Sequence, residues 1–116
     1  LAPLRTEAEM KSARGAYRLK AAEAERRVIL IATGSEVEIA VAVAAKLEAA
    51  GVGADVVSMP CWERFERQDA TYRDELLLKG PLRVSIEAGT TFGWERYTGT
   101  DGLRFGIDGF GASAPA

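Results

Sequence analysis

From Arg26 onward the chain alternates between unbroken apolar runs and stretches of helical spacing. "RRVILIA" is continuous in apolar residues, as a strand covered on both faces requires, and it predicts the centre of a sheet. In the stretch that follows, Ile39, Ala40, Val43, Ala44 and Leu47 recur on one side of a helix, with Glu36, Lys46 and Glu48 mostly off that stripe. Gly51 sits where a C′ residue ends such a helix. "ADVVSMP" is a second apolar strand stopped by Pro60, and the order strand, helix, strand implies a right-handed parallel crossover.

The remaining segments read less uniformly. Residues 1–14 are polar, broken by Pro3 and without a sustained period, and are expected to be a linker from a preceding domain. Gly15 opens "AYRLKAA", a short edge strand. In "CWERFERQDATYRDELLLKGP" Trp62 and Phe65 stand three apart, Tyr72 and Leu76 four apart, and Asp69 is placed to cap a second helix. "LRVSIEAG" alternates Leu82, Val84 and Ile86 with Arg83, Ser85 and Glu87, a strand with one less apolar face. "LRFGIDGFG" supplies a last short strand. The expected fold is an open three-layer α/β/α domain over residues 15–116, its sheet mostly parallel with room for one antiparallel edge strand. In "GASAPA", Ser113 and Pro115 resemble a helix entry, and the final helix is expected to be missing, which would leave apolar surface on the sheet uncovered.

Length and charge narrow the functions. A chain of 116 residues, 47% hydrophobic, makes one compact domain. Its 15 basic and 17 acidic residues are interspersed, which offers no face to nucleic acid or to an anionic membrane. No apolar run is long enough to span a bilayer, and the first residues lack the apolar centre of a secretory signal, so a cytoplasmic location is expected. Cys61 has no second cysteine to pair with and reads as a small packed or loop residue. Histidine is absent altogether, which removes the side chain most used for proton transfer near neutral pH.

The turn Thr33-Gly34-Ser35-Glu36 joins a strand to a helix, where phosphates often bind. A dinucleotide fingerprint needs three glycines and a P-loop needs a following lysine; Gly34 stands alone and no lysine follows. A capping box fits better, with Ser35 and Glu38 satisfying each other's backbone N–H groups, or Thr33 and Glu36 in the alternative register. Glu36 also places a negative charge where an anion would sit. Glu87, near the carboxyl end of its strand, is the best candidate for a functional carboxylate, although a salt bridge to a nearby arginine such as Arg96 is the favoured reading. Phe92, Trp94 and Tyr97 could wall a ligand, but packing is the favoured reading. Asp108, between glycines, lacks the further oxygen ligands a metal would need and reads as part of a turn.

These blocks together resemble the C-terminal domain of transketolases: Ala32 to Glu36, Val57 to Pro60, Phe65 with Gln68 and Asp69, Glu87 to Gly89, Trp94 with Tyr97 and Gly99, and Phe110 to Pro115. Gly34, Ser35, Glu36, Glu87, Trp94, Tyr97, Phe110 and Ser113 are the signature positions. The "GWERYTG" and "FGASAPA" segments set it apart from the equivalent domains of deoxyxylulose phosphate synthases and 2-oxo acid dehydrogenases. The resemblance implies part of a homodimeric enzyme that moves a two-carbon ketol unit between sugar phosphates. Such enzymes use thiamine diphosphate and a divalent metal, magnesium or calcium, held by other domains. The family's metal motif and its histidines have no counterpart here, since the chain contains neither asparagine nor histidine. No catalytic, cofactor-binding or metal-binding residue is therefore assigned to this chain, and a role in assembly or regulation is expected. The other reading open at this point is a self-standing module that recognises a small anion at the carboxyl edge of its sheet.

Overall fold

In the computed structural model, residues 13–34, 36–88, 93–99, 101–108 and 111–112 are described. Strands β1 (Tyr17–Lys20), β2 (Arg26–Ala32), β3 (Gly53–Ser58), β4 (Leu82–Ala88), β5 (Leu103–Asp108) and β6 (Gly111–Ala112) form a sheet ordered β1-β3-β2-β4-β5-β6. The four inner strands are parallel. Both edges are antiparallel, β1 against β3 and β6 against β5, so the single antiparallel edge expected is joined by a second. The added edge comes from the glycine-punctuated end of the chain, where Asp108 pairs back onto Gly111. The linker and the helix entry at Ser113 lie outside the described residues, Ala13 and Arg14 excepted, and so does Phe110.

Helix α1 (Glu36–Ala49) covers one face of the sheet, where Ala40 and Ala44 pack on Leu30, Ala32, Ala54, Val56, Val84 and Ile86. Small alanines let the helix approach the branched side chains of the strands closely. Its end is a Schellman motif: the Val52 N–H donates to Leu47 O and the Gly51 N–H to Glu48 O. Ile39 was expected on the buried stripe, but it is 40% exposed, because α1 covers mainly β2 and β3 and leaves the flank toward the rest of the sheet open. On that same face, Leu82, Leu103 and Phe105 also remain exposed.

The opposite face carries α2 (Trp62–Glu66), α3 (Ala70–Leu76) and α4 (Glu95–Thr98). Phe65, Leu76, Leu77, Trp94 and Tyr97 pack there against Ile29, Ile31, Val57 and Met59. Each large side chain so buried contributes roughly 2 kcal/mol. Asp69 caps α3 as its position predicts, accepting from the Tyr72 N–H at 2.8 Å. Cys61, half-buried, precedes α2; its N–H donates to Gly15 O and its carbonyl accepts from the Phe65 N–H. A side chain at Gly15 would collide with the backbone of Cys61 and Phe65, so glycine is required for this approach. In β4 the supposedly polar face is not exposed throughout: Ser85 is completely buried, because β2 and β5 flank it on both sides and α4 lies against β4.

Two carboxylates, Asp55 buried and Glu48 solvent-accessible, tie the strands to the segments around them. Asp55, fully buried in β3, accepts from the Ala22 N–H at 2.8 Å and from Arg18 Nε at 3.2 Å, and lies 2.7 Å from Arg26 Nε. The Arg26 contact is an ion pair whose N–H is not aligned for a hydrogen bond. Arg18 reaches further, donating to Glu75 O near the end of α3 at 2.7 Å. At the end of α1, Glu48 accepts from the backbone N–H groups of Ala54, Glu23 and Ala24, each at 3.0 Å. These bonds hold its carboxyl below its ordinary value of 4.5, the Ala54 bond most strongly.

Two outcomes are expected. Asp55→Asn, which removes the charge but keeps an acceptor, should cost about 3 kcal/mol in urea denaturation, since two arginines then lose their buried partner. For Glu48 the folded-state pKa is depressed, so its contribution is complete above pH 4.5 and is lost as pH falls through the lower folded value. Thermal melts from pH 6 downward should therefore show a smaller loss of stability for Glu48→Gln than for the parent chain.

Candidate functional site

Open parallel sheets bind ligands outside the carboxyl ends of their strands, and here that edge brings together Thr33, Gly34, Glu36 and Glu87. β2 and β4 are neighbours in register, with Ala32 opposite Ile86, so the residues after each strand meet. Thr33 Oγ1 donates to Glu87 Oε2 at 2.8 Å. Glu87 is thus held by Thr33 and not by Arg96, whose guanidinium lies 5.6 Å over the Trp62 ring instead. The salt bridge expected from sequence is replaced because α4 turns Arg96 toward the aromatic cluster.

The described residues of the turn do not offer a phosphate cradle. The Glu36 N–H donates to Thr33 O at 3.1 Å and the Val37 N–H to Gly34 O at 3.2 Å, so these first-turn donors are already engaged. Gly34 has φ of 55°, a conformation that favours glycine, and a side chain there would meet nothing within 4 Å. It serves the backbone conformation of the turn and not a close approach within this chain. Ser35 lies outside the described residues, and its capping with it; in the alternative register the Glu36 N–H goes to the Thr33 carbonyl and not to its hydroxyl.

Trp94 and Tyr97 stand apart from this edge pair as core residues. Trp62 meets Trp94 edge-on at 4.7 Å and Tyr97 at 5.1 Å, and Phe65 meets Tyr97 at 5.6 Å. Trp62, unassigned from sequence, is central to this cluster. The Tyr97 hydroxyl donates to Glu66 at 2.8 Å, and burial together with that bond pushes it up to about 12. It therefore stays protonated at neutral pH and positions Glu66. Among the described residues no group of three or more Cys, Asp or Glu side chains is arranged to hold a metal ion. The described residues at this edge do not fit thiamine diphosphate or its metal: the carboxylate at the end of β4 is bonded to Thr33, and the Glu36 and Val37 N–H groups are engaged.

Architecture and edge together define an α/β domain with four parallel inner strands, in which a hydrogen bond between Thr33 and Glu87 links the carboxyl ends of β2 and β4. Residues 15–116 match the family described as the transketolase-like C-terminal domain, and the chain belongs to that family. It is 55% identical over 109 residues to a transketolase of Sinorhizobium medicae, covering 93% of this chain and 16% of that protein. Transketolase 1 of Escherichia coli is 49% identical over 114 residues, covering 97% of this chain and 17% of that protein. The solved transketolase of Leishmania mexicana superposes with a TM-score of 0.77 at 40% identity, over 91% of this chain and 15% of that one. The chain thus spans about a sixth of the length of the relatives it matches.

Gly34→Ala should cost about 1 kcal/mol of stability through its left-handed backbone. Urea denaturation of the two chains measures it, and the loss should be the same with and without millimolar phosphate.

Proposed function

We propose that this chain is the C-terminal, non-catalytic domain of a cytoplasmic transketolase, a homodimeric enzyme that moves a two-carbon ketol unit from a ketose phosphate to an aldose phosphate. The observation that carries this reading is the sustained identity with transketolases across nearly the whole chain, joined to a superposition that spans the same fold. Thiamine diphosphate and a divalent metal would be held by other domains of the longer protein. The donor set here supports that division, for a chain without histidine or asparagine lacks the side chains that the family's metal motif and proton transfers use. What this domain contributes is shape: a rigid sheet, with Leu82, Leu103 and Phe105 exposed beside α1, through which it packs against the rest of the enzyme and supports its assembly.

The 116-residue chain should neither turn over ketose phosphates nor bind thiamine diphosphate in calorimetric titration with magnesium. The longer protein that contains it should do both. Saturable binding of micromolar cofactor by the 116-residue chain would overturn the non-catalytic role, and absence of ketol transfer by the longer protein would overturn the enzyme assignment.

A further inference from the structure

The amino edge of the sheet, opposite the carboxyl edge described above, contains a cleft of about 490 Å³. It is formed where the chain enters β4 and β5, and Lys79, Arg83, Thr98, Gly99, Asp101 and Gly102 line it. A second, smaller cleft of about 220 Å³ shares Lys79 and Arg83 with the first. Both volumes lie near or within the size range of small-molecule sites.

The charges around these clefts are unevenly satisfied. Arg104 donates to Thr98 Oγ1 at 3.2 Å, Gly99 O at 3.0 Å and Gly102 O at 3.4 Å, and so neutralises the carbonyls at the end of α4. In the smaller cleft Arg73 lies 3.8 Å from Glu66, which also accepts from Tyr97, and Arg96 lies over Trp62. Arg83 and Lys79, by contrast, have no hydrogen-bond or ion-pair partner among the described residues, although Arg83 is half-buried. Its guanidinium lies against Gly99, where even a Cβ would come within 3.2 Å of Nη2. The rim thus holds one arginine in place, with a lysine beside it, and their carbonyl competitors are already bonded to Arg104. Three acids line the same clefts, Asp101 the larger and Asp74 and Glu66 the smaller, and of these Glu66 is already engaged by Tyr97 and Arg73.

We propose that this amino-edge cleft binds a phosphoryl group carried on a small hydroxylated molecule. Arg83 and Lys79 supply charge-assisted donors to the phosphoryl oxygens, a planar fork and a mobile point charge. Asp101, which can only accept, takes a hydroxyl of the same molecule. A bare divalent oxyanion satisfies the cations but meets Asp101 as a repelling charge, which gives the site its preference for a ligand with both groups. The inference is independent of the transferase reading, because every group it invokes lies on this chain.

Titration of the 116-residue chain, read by the backbone amide resonances of Gly99 and Gly102, tests it with inorganic phosphate and glycerol 3-phosphate as probes. Both should give saturable shifts at these amides, glycerol 3-phosphate the tighter. Arg83→Gln should weaken both by roughly tenfold and Lys79→Gln, an exposed position that does not threaten folding, by roughly threefold. Asp101→Asn should tighten phosphate and reduce the advantage of glycerol 3-phosphate. Shifts that rise linearly without saturation, or that are unchanged in both Arg83→Gln and Lys79→Gln, would overturn the site. Equal affinity for the two probes in the parent chain would overturn the role of Asp101.

Discussion

A single buried carboxylate sets the arrangement of one half of this sheet. Asp55 lies in the middle of β3, fully removed from water, and is compensated by Arg18 from β1, Arg26 from β2 and the N–H of Ala22 from the connection between them. An isolated carboxylate in that position would be strongly unfavourable, so β3 can occupy the place between β1 and β2 only if both arginines reach it. The antiparallel edge and the parallel neighbour are thereby fixed by one charge, and Arg18 extends the constraint to α3 through Glu75 O. Apolar burial alone is non-directional and would not distinguish this order of strands from others.

Around that anchor the two faces are built differently. The α1 face uses small residues, Ala40 and Ala44, against Val and Ile side chains, whereas the other face uses interlocking aromatic rings from α2, α3 and α4. The aromatic side needs three short helices because none has enough surface to cover the strands by itself. Its cost is a set of polar tips that must be paired inside the layer, met by Tyr97 with Glu66 and by Tyr72 with Ala16 O at 2.6 Å. The consequence for function is an edge where Thr33 and Glu87 bond to one another and the described donors of the turn, the Glu36 and Val37 N–H groups, are engaged. The chain's membership of the transketolase C-terminal family stands beside this edge, where the Glu87 carboxylate of β4 is engaged by the hydroxyl that follows β2 in the same sheet.

The sequence by itself determined the elements whose signal is local. "RRVILIA" and "ADVVSMP" specify buried strands because an uninterrupted apolar run has few other stable placements, Gly51 marks the end of α1, and Asp69 the start of α3. The blocks that carry the family resemblance were legible for the same reason, since turn and packing residues recur in fixed order. Tertiary structure alone decided the partners. Asp55 and Arg18 are 37 residues apart and Thr33 and Glu87 are 54 apart, and no periodicity connects them. Glu87 could have met Arg96 on charge alone, yet the neighbouring register of β2 and β4 puts a hydroxyl within reach, while α4 carries the arginine to an aromatic ring. Ile39 matched the apolar stripe by spacing and stayed exposed because the helix position over the sheet, not the spacing, sets which flank is covered. A sequence states which side chains need partners; only the crossing of strands and helices in space decides which partners arrive.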